Sequence, residues 1–262
     1  MPKRRLDTLL AERGLFETRT RAAAAVMAGD VRVADRPARK PGELVAADAR
    51  LDVVERPAFV SRGGVKLANA LDAFGLDPLG RRALDVGAST GGFMDCLLQR
   101  GAEAVIALDV AYGELHWTLR NDPRVTVLER RNARSLDPGE LPWRPDLIVA
   151  DVSFISLTKV LPSVLAAAAG EFDCLALVKP QFEAGRDRVG KGGVVRESSE
   201  RRATLVAVAS HARDELGATV LGFASSGLPG PAGNRESFVW LAEAGRAGAI
   251  EDLEAAAGRV EP

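Results

Sequence analysis

Cysteine and histidine are scarce in this chain of 262 residues, which contains two of each. The cysteines, Cys96 and Cys174, stand far apart in apolar stretches, so they form no metal-binding spacing and indicate a reducing compartment. Two histidines are too few for a histidine metal site and give poor support to a Ser–His–Asp triad. The sequence therefore predicts no metal centre.

Long hydrophobic runs are also absent. No stretch approaches the roughly 18 uncharged apolar residues that a membrane-spanning helix requires. The first residues, MPKRRLD, lack the apolar segment of an export signal. We therefore expect a cytoplasmic protein without a membrane-bound state, and a monomer in the absence of any sign to the contrary.

The chain as a whole has almost no excess of one charge, since its net charge is −1, but its two parts do. Residues 1–40 carry ten Lys or Arg and five Asp or Glu, a balance of +5, so the remainder carries −6. A basic head on an acidic body is typical of a segment that binds phosphate. The candidates for RNA contact are Arg4, Arg5, Arg19 and Arg21. The alternative is a solvated basic face that only keeps the head soluble.

The head has the pattern of a small α+β module. Leu6, Leu9 and Leu10 form one helical face, and Thr18 can cap a second helix. Strands are predicted at 31–33 and 50–54. We predict an RNA-binding domain over 1–58, a linker over 59–63 within an extended stretch that starts at 55, and a second domain over 64–262.

Strand and helix patterns alternate in the second domain, which predicts a doubly wound, mostly parallel, seven-stranded Rossmann-like sheet. The last two strands follow each other without a helix, as an antiparallel pair would. The predicted strands are 83–86, 104–109, 125–128, 146–151, 174–179, 219–224 and 237–242. The predicted helices lie near 65–75, 92–100, 112–120, 157–168 and 198–216.

A glycine-rich turn, LDVGASTGGF, follows the first of these strands. Gly87, Gly91 and Gly92 allow close approach of the backbone, and the acids Asp85 and Asp109 each end an apolar strand. The pattern is not GxGxxG, so a nucleoside cofactor without phosphates, such as S-adenosylmethionine, fits better than NAD. The alternative is a turn that binds nothing.

Two further strands end in charged residues, Asp151 and Lys179. Ligands of open α/β sheets bind outside the carboxyl ends of the strands, so these side chains are candidates for a base and its orienting acid. The alternative is a structural ion pair. Phe154, which follows Asp151, either packs on the sheet or stacks on a nucleobase. Glu236, at the start of the last strand, has no role that its position alone indicates.

Six segments together resemble one known family, and the resemblance covers nearly the whole chain. They are SRGGVKL, LDVGASTGGF, RNDPRVTVLERRNAR, ADVSFISL, LVKPQFEAGRDRVGKGGVV and LPGPAGNRESFVWL. The family is that of the TlyA rRNA 2′-O-ribose methyltransferases, some of which are named hemolysins. The head resembles their RNA-binding domain of the ribosomal-protein-S-four type, and the body resembles their FtsJ-like methyltransferase domain.

The resemblance implies roles for particular residues. The family's Lys–Asp–Lys–Glu tetrad falls on Lys66, Asp151, Lys179 and Glu236, with Lys179 as the base. The residues implied to bind S-adenosylmethionine are Gly87, Ala88, Ser89, Thr90, Gly91, Asp109 and Asn132. From the glycine-rich turn and the strand ends, we also expect Asp85, Gly92, Phe93 and Asp151 to contribute to the cofactor site. The linker departs from the family's Arg-Ala-Trp-Val, because it reads RPAFV, with Pro57 added and Phe59 in place of Trp.

The leading hypothesis is an enzyme that transfers a methyl group from S-adenosylmethionine to a ribose 2′-hydroxyl, of cytidine, in the ribosomal RNA of one or both ribosomal subunits. A second hypothesis is a protein that only holds RNA, although such a protein would not need two lysines and two acids at one site. A third is a membrane-lytic protein, against which the absence of a basic amphipathic helix of useful length argues.

Overall fold

The structure, a computed structural model, describes residues 2–54, 57–185 and 188–261. They fall into two compact units, Met1–Pro57 and Ala58–Pro262. Glu55 and Arg56, with which the predicted extended stretch begins, lie outside the described residues.

The described residues of the N-terminal unit form two helices and five short strands. The helices are α1 (Leu6–Glu12) and α2 (Arg19–Met27), and the strands are β1 (Lys3–Arg5), β2 (Val31–Val33), β3 (Arg36–Pro37), β4 (Leu44–Ala46) and β5 (Leu51–Val53). Strand β2 is the centre of an antiparallel sheet with β3 and β5, and β1 pairs with β4. The two predicted helices and the strands β2 and β5 are confirmed, whereas β1, β3 and β4 were not predicted.

Leucine side chains of α1 form the core of this unit. Leu6 and Leu10 are fully buried and belong to one cluster with Ala22 and Val31. The predicted cap of α2 is present, because Thr18 Oγ1 accepts a hydrogen bond of 3.2 Å from the backbone N–H of the helix's third residue.

The second unit is built on seven strands, and all seven were predicted. They are β6 (Arg82–Val86), β7 (Ala104–Asp109), β8 (Val125–Glu129), β9 (Leu147–Ala150), β10 (Asp173–Val178), β11 (Thr219–Ser225) and β12 (Ser237–Ala242). The helices are α3 (Arg62–Phe74), α4 (Gly92–Gln99), α5 (Trp117–Arg120), α6 (Leu161–Ala166), α7 (Pro180–Glu183), α8 (Ser198–Asp214) and α9 (Leu253–Val260). Short 3₁₀ turns lie at Ala133–Ser135, Pro138–Glu140 and Leu157–Lys159.

The strand order is β11-β12-β10-β9-β6-β7-β8. All neighbours are parallel except β12, which runs antiparallel to both β10 and β11. The predicted α/β fold is confirmed. The carboxyl ends of β6, β9 and β10 therefore meet at one edge of the sheet, and the first residue of the reversed strand β12 arrives at the same edge.

Both faces of the sheet are covered by apolar side chains. In β6, Leu84 and Val86 face one hydrophobic cluster, and Ala83 faces the other. This alternation explains why the central strands read as nearly continuous apolar runs rather than as alternating patterns.

Two predicted helices differ in detail, and one further helix was not predicted. The predicted helix near 112–120 is reduced to α5, because Gly113 adopts a φ of +80°. The predicted helix near 157–168 is divided into a 3₁₀ turn and α6, whose first turn contains a proline. Helix α9 was not predicted; Asp252 caps it by accepting a 2.9 Å hydrogen bond from the N–H of Ala255.

The predicted linker is shorter than expected. Helix α3 begins at Arg62, so Arg62 and Gly63 form its first turn instead of a connection. The preceding residues already pack in the second unit: the N–H of Val60 donates a 2.8 Å hydrogen bond to Asp95, and Phe59 covers Gly64, where a Cβ would lie 2.3 Å from the ring. The missing side chain of Gly64 is what admits the aromatic residue.

Candidate active site

The glycine-rich turn after β6 brings two strand ends into close contact. Gly87 has a φ of +82°, and a Cβ at this position would lie 2.5 Å from the backbone oxygen of Asp151. At Gly92 a Cβ would lie 2.1 Å from Ser61 Oγ. Gly87 therefore requires glycine both for lack of space and for its backbone conformation, whereas a side chain at Gly92 would at least displace that of Ser61.

Asp109, at the end of β7, holds this turn in place. One carboxylate oxygen accepts a 2.7 Å hydrogen bond from the N–H of Ser89, and the other accepts a 2.8 Å bond from the N–H of Ala111. Asn132 has a comparable local role, since its side-chain oxygen accepts a bond of 3.0 Å from the N–H of Arg134. Both predicted cofactor residues thus fix the backbone around them.

Two of the predicted cofactor residues, Asp85 and Gly91, line neither of the two cavities described below. Asp85 is fully buried. One oxygen accepts a 3.0 Å hydrogen bond from the N–H of Met94, and the other has no partner among the described residues. Burial, with the charge of Asp151, raises the pKa of Asp85 to about 8.

Asp151 and Lys179 follow the adjacent parallel strands β9 and β10 and meet at the sheet edge, as predicted. Lys179 Nζ lies 2.5 Å from Asp151 Oδ1 and donates a 2.9 Å hydrogen bond to Ser153 Oγ. The lysine side chain is 12% exposed. Ser153 was not predicted; a serine after a strand end carries no signal of its own.

A second ion pair joins Lys66 of α3 to Glu236, which precedes β12. Lys66 Nζ lies 2.5 Å from Glu236 Oε2, and the two side chains are 8% and 1% exposed. This places all four residues of the expected tetrad at one end of the sheet, as two separate lysine–carboxylate pairs.

One cavity of about 540 Å³ is lined by all four of these residues and by the glycine-rich turn. Other residues of its wall are Ser61, Arg62, Gly63, Gly87, Ala88, Ser89, Thr90, Gly92, Phe93, Ser153, Pro229 and Pro231. A second cavity of about 500 Å³ shares Gly87, Ser89, Asp151 and Ser153 with the first, and it contains Asp109 and Asn132. Apart from Asp85 and Gly91, the predicted cofactor residues therefore lie around these two adjoining cavities at one edge of the sheet.

Phe154 does not pack on the sheet. Its side chain is 91% exposed, it has a φ of +63°, and its ring centre lies 5.2 Å from that of Phe182. Glu183 anchors the segment that follows, because it accepts hydrogen bonds of 2.8 Å from the N–H of Leu157 and 2.5 Å from Ser156 Oγ. Burial raises the pKa of Glu183. An exposed aromatic side chain on an anchored loop is available for stacking.

In the N-terminal unit, each of the four predicted RNA-contacting arginines is paired with an acid. Arg4 pairs with Glu12 and Arg21 with Glu17, whereas Arg5 and Arg19 share Asp7. In the part of the chain that the structure describes, no helix is long and apolar enough to cross a membrane.

Comparison with known families assigns both units. The FtsJ-like methyltransferase family matches residues 59–243, and the S4 domain matches residues 4–51. The chain belongs to the FtsJ-like methyltransferase family. The predicted methyltransferase activity, its methyl donor S-adenosylmethionine and the RNA-binding type of the head are thereby confirmed.

Relatives cover almost the full length of this methyltransferase. It is 50% identical to the 16S/23S rRNA (cytidine-2′-O)-methyltransferase TlyA of Mycobacterium tuberculosis over 97% of this chain and 96% of that protein. It is 44% identical to the rRNA methyltransferase YqxC of Bacillus subtilis over 91% of this chain and 85% of the relative. A solved structure from Streptococcus thermophilus, described as a hemolysin, has 39% identity and a TM-score of 0.73 over 99% of this chain and 96% of the other.

Proposed function

We propose that this methyltransferase methylates the ribose 2′-hydroxyl of a cytidine in ribosomal RNA, with S-adenosylmethionine as the methyl donor. The observation that carries the proposal is the single cavity lined by Lys66, Asp151, Lys179, Glu236 and the glycine-rich turn. The rRNA (cytidine-2′-O)-methyltransferase of M. tuberculosis, which is 50% identical over 97% of this chain, supports the same reaction and substrate here.

The residues around the two adjoining cavities fit this cofactor. Gly87 leaves no room for a side chain, so a ligand in the cavity meets bare backbone. Asp109 and Asn132 supply acceptors for ribose hydroxyls and an adenine amino group in one cavity, and Asp151 borders both. When bound, S-adenosylmethionine supplies a methyl carbon that its sulfonium charge makes electrophilic.

Lys179 is the base in this proposal. Nζ accepts the proton of the 2′-hydroxyl as the hydroxyl oxygen takes the methyl group. Asp151, 2.5 Å away, and Ser153, which accepts a 2.9 Å hydrogen bond, orient Nζ toward the cavity. Lys179 contributes to the rate by aligning the hydroxyl as well as by accepting its proton.

The Lys66–Glu236 pair has a different role. Its side chains are almost fully buried and satisfy each other, so neither is available as a proton acceptor for the hydroxyl. We assign to this pair the fixing of α3 against the start of β12, which forms one wall of the cavity.

RNA is held by two groups of side chains. Phe154, with 91% exposure beside the second cavity, stacks on a base, an interaction worth about 1–3 kcal/mol. Arg4, Arg5, Arg19 and Arg21 of the head, the domain proposed over 1–58, contact backbone phosphates. The partner is a ribosomal subunit, small, large or each in turn, and we propose that the enzyme acts on it as a monomer in the cytoplasm.

A methyl-transfer assay tests this proposal. Purified small and large ribosomal subunits that lack 2′-O-methylcytidine are incubated with the protein and tritiated S-adenosylmethionine, and the RNA is digested to nucleosides for mass spectrometry. Tritium in 2′-O-methylcytidine is the expected result. Binding of subunits without label would leave a protein that only holds RNA, and leakage of dye-loaded vesicles would indicate a lytic protein instead.

A further inference from the structure

Asp7 is a buried acid in a head whose charge is otherwise largely exposed. Its side chain is 3% exposed, whereas the side chains of Arg5 and Arg19, which bind it, are 47% and 59% exposed. Hydrogen bonding to Arg5, with Arg19, holds the pKa of Asp7 well below its ordinary range. A charged carboxylate inside the module therefore connects two guanidinium groups at the surface.

The two arginines come from different elements and converge on one oxygen. Arg5, at the end of β1, donates from Nη2 to Asp7 Oδ2 at 2.7 Å and from Nε to Oδ1 at 3.1 Å. Arg19, the first residue of α2, donates from Nε to the same Oδ2 at 3.1 Å. Because both bonds end on Asp7 Oδ2, Arg5 Nη2 and Arg19 Nε are held close to each other.

Both the acid and one arginine are fixed by further contacts. The N–H of Thr8 donates a 2.8 Å hydrogen bond to Asp7 Oδ1. The guanidinium of Arg5 lies against Gly42, where a Cβ would be 2.9 Å from Nη1. Arg5 Nη1 and both terminal nitrogens of Arg19 have no hydrogen-bond partner within 2–54, 57–185 and 188–261, so donors remain for a ligand.

The other two candidate arginines differ in this respect. Arg4 is paired with Glu12, and Arg21 with Glu17, and both of these acids are solvent-exposed. Each of these pairs is neutral, whereas two arginines on one carboxylate keep a net charge of +1. The cluster of Arg5, Asp7 and Arg19 therefore attracts an anion, and the two exposed pairs do so only after they separate.

We propose that Asp7 is a positioning residue that holds Arg5 and Arg19 together as a preformed site for one phosphate group of the ribosomal RNA backbone. The inference rests on the proposed function, because the anion it assigns is the RNA of that function. Guanidinium groups that are already oriented lose less conformational freedom when they bind phosphate, and their planar donor sets match its oxygens.

Asp7→Asn separates positioning from charge by the sign of its effect. The substitution raises the charge of residues 1–40 from +5 to +6, so charge alone predicts tighter binding to RNA. Positioning predicts the opposite, because an amide is uncharged and one of its two terminal atoms is an NH2 donor, so it holds the guanidinium N–H groups less strongly than the two oxygens of a carboxylate do. We expect the full-length Asp7→Asn protein to bind ribosomal subunits about tenfold more weakly, as for loss of hydrogen bonds to a charged group.

Two double variants of equal charge supply the control. Arg5→Ala/Arg19→Ala and Arg4→Ala/Arg21→Ala each remove two positive charges, and we expect the larger loss for the first pair. The slope of log affinity against log salt should fall by about one phosphate contact in Arg5→Ala/Arg19→Ala. Arg5→Lys/Arg19→Lys keeps the charge without the planar donors, and it should also bind more weakly.

The outcomes discriminate clearly. Tighter binding by Asp7→Asn, or equal losses in the two alanine pairs, would overturn the inference. If circular dichroism shows that Asp7→Asn has unfolded, the lysine pair decides, and unchanged binding by it overturns the inference. Failure of the unmodified protein to bind or methylate subunits would instead refute the proposed function. KM for RNA should rise more in Asp7→Asn and in the two Arg5/Arg19 double variants than in Arg4→Ala/Arg21→Ala.

Discussion

Lys66 Nζ lies 2.5 Å from Glu236 Oε2, although 170 positions separate the two residues in the chain. A buried pair of this kind is costly to break, because the remaining partner is left charged and without a counterion. We expect Lys66→Met to lower the free energy of unfolding by about 3–5 kcal/mol, as measured by urea denaturation. Lys66→Met/Glu236→Gln should recover part of that stability, because neither residue is then an unpaired buried charge. Equal stability of the single variant and the parent would contradict the burial of the pair.

The base assignment is tested at Lys179. Lys179→Ala should lower the rate of methyl transfer by about 10²–10⁴-fold, the usual contribution of a general base. Calorimetry should find cofactor binding preserved. Ser153→Ala is a graded control, because it removes one hydrogen bond to Nζ and leaves Asp151 in place; its loss of rate should be smaller. Near-normal turnover by Lys179→Ala would exclude this residue as the base.

Asp109 is expected to contribute to cofactor affinity. Asp109→Ala removes an acceptor for ribose hydroxyls and also releases the N–H groups of Ser89 and Ala111. The dissociation constant for S-adenosylmethionine, measured by calorimetry, should rise by the equivalent of about 1–3 kcal/mol. Asp109→Asn keeps one acceptor oxygen and should be affected less. An unchanged dissociation constant in Asp109→Ala would move the cofactor to another place.

Gly87→Ala should abolish cofactor binding and lower the melting temperature, since its Cβ would lie 2.5 Å from the backbone oxygen of Asp151. Gly80→Ala is the matched control: Gly80 has a similar φ of +71°, and no atom lies within 4 Å of its Cβ position. The control carries only the strain of the backbone conformation, about 1–2 kcal/mol. If both variants bind the cofactor equally well, the close contact at Gly87 is not needed for the site.

Asp85 should make stability depend on pH. Burial raises its pKa from 3.8 to about 8, so the folded protein holds a proton that the unfolded chain releases between these values. Stability from this group is therefore complete below about pH 4 and decreases as the pH rises toward about 8. Asp85→Asn should flatten the curve of unfolding free energy against pH across that window. Parallel curves for the parent and the variant would show that Asp85 is ionised in the folded state.

Part of this site could be predicted from the residues alone. Asp151 and Lys179 interrupt apolar strands at their carboxyl ends, and parallel strands bring such ends to one edge. Glu236 offers no comparable signal, because an acid at the start of a strand is ordinary. Only the reversal of β12 brings it to Lys66, and reversal is a property of the whole sheet. The family resemblance therefore supplied Glu236, whereas Lys66 was already a candidate as a lysine neighbouring Lys179, and the roles of both remain predictions.

The head was less predictable than the sheet. Strand β1 consists of Lys3, Arg4 and Arg5, all exposed, so neither hydrophobic alternation nor β-propensity marks it. The charge of the head could be counted from the sequence, but the pairing of its charges could not. Asp7 reads as a surface acid in the first turn of a helix, and only the fold shows that two arginines from separate elements enclose it.

The place of β12 has a consequence for how this protein is made. Strand β12 is the last to be synthesised, yet it lies inside the sheet between β10 and β11. In a nascent chain, β11 consequently cannot join the rest of the sheet until residues 237–242 have left the ribosomal tunnel. Lys66 also has no Glu236 to pair with before that point. The described members of the N-terminal unit's hydrophobic cluster all lie between Leu6 and Leu51, so this core can form early in synthesis.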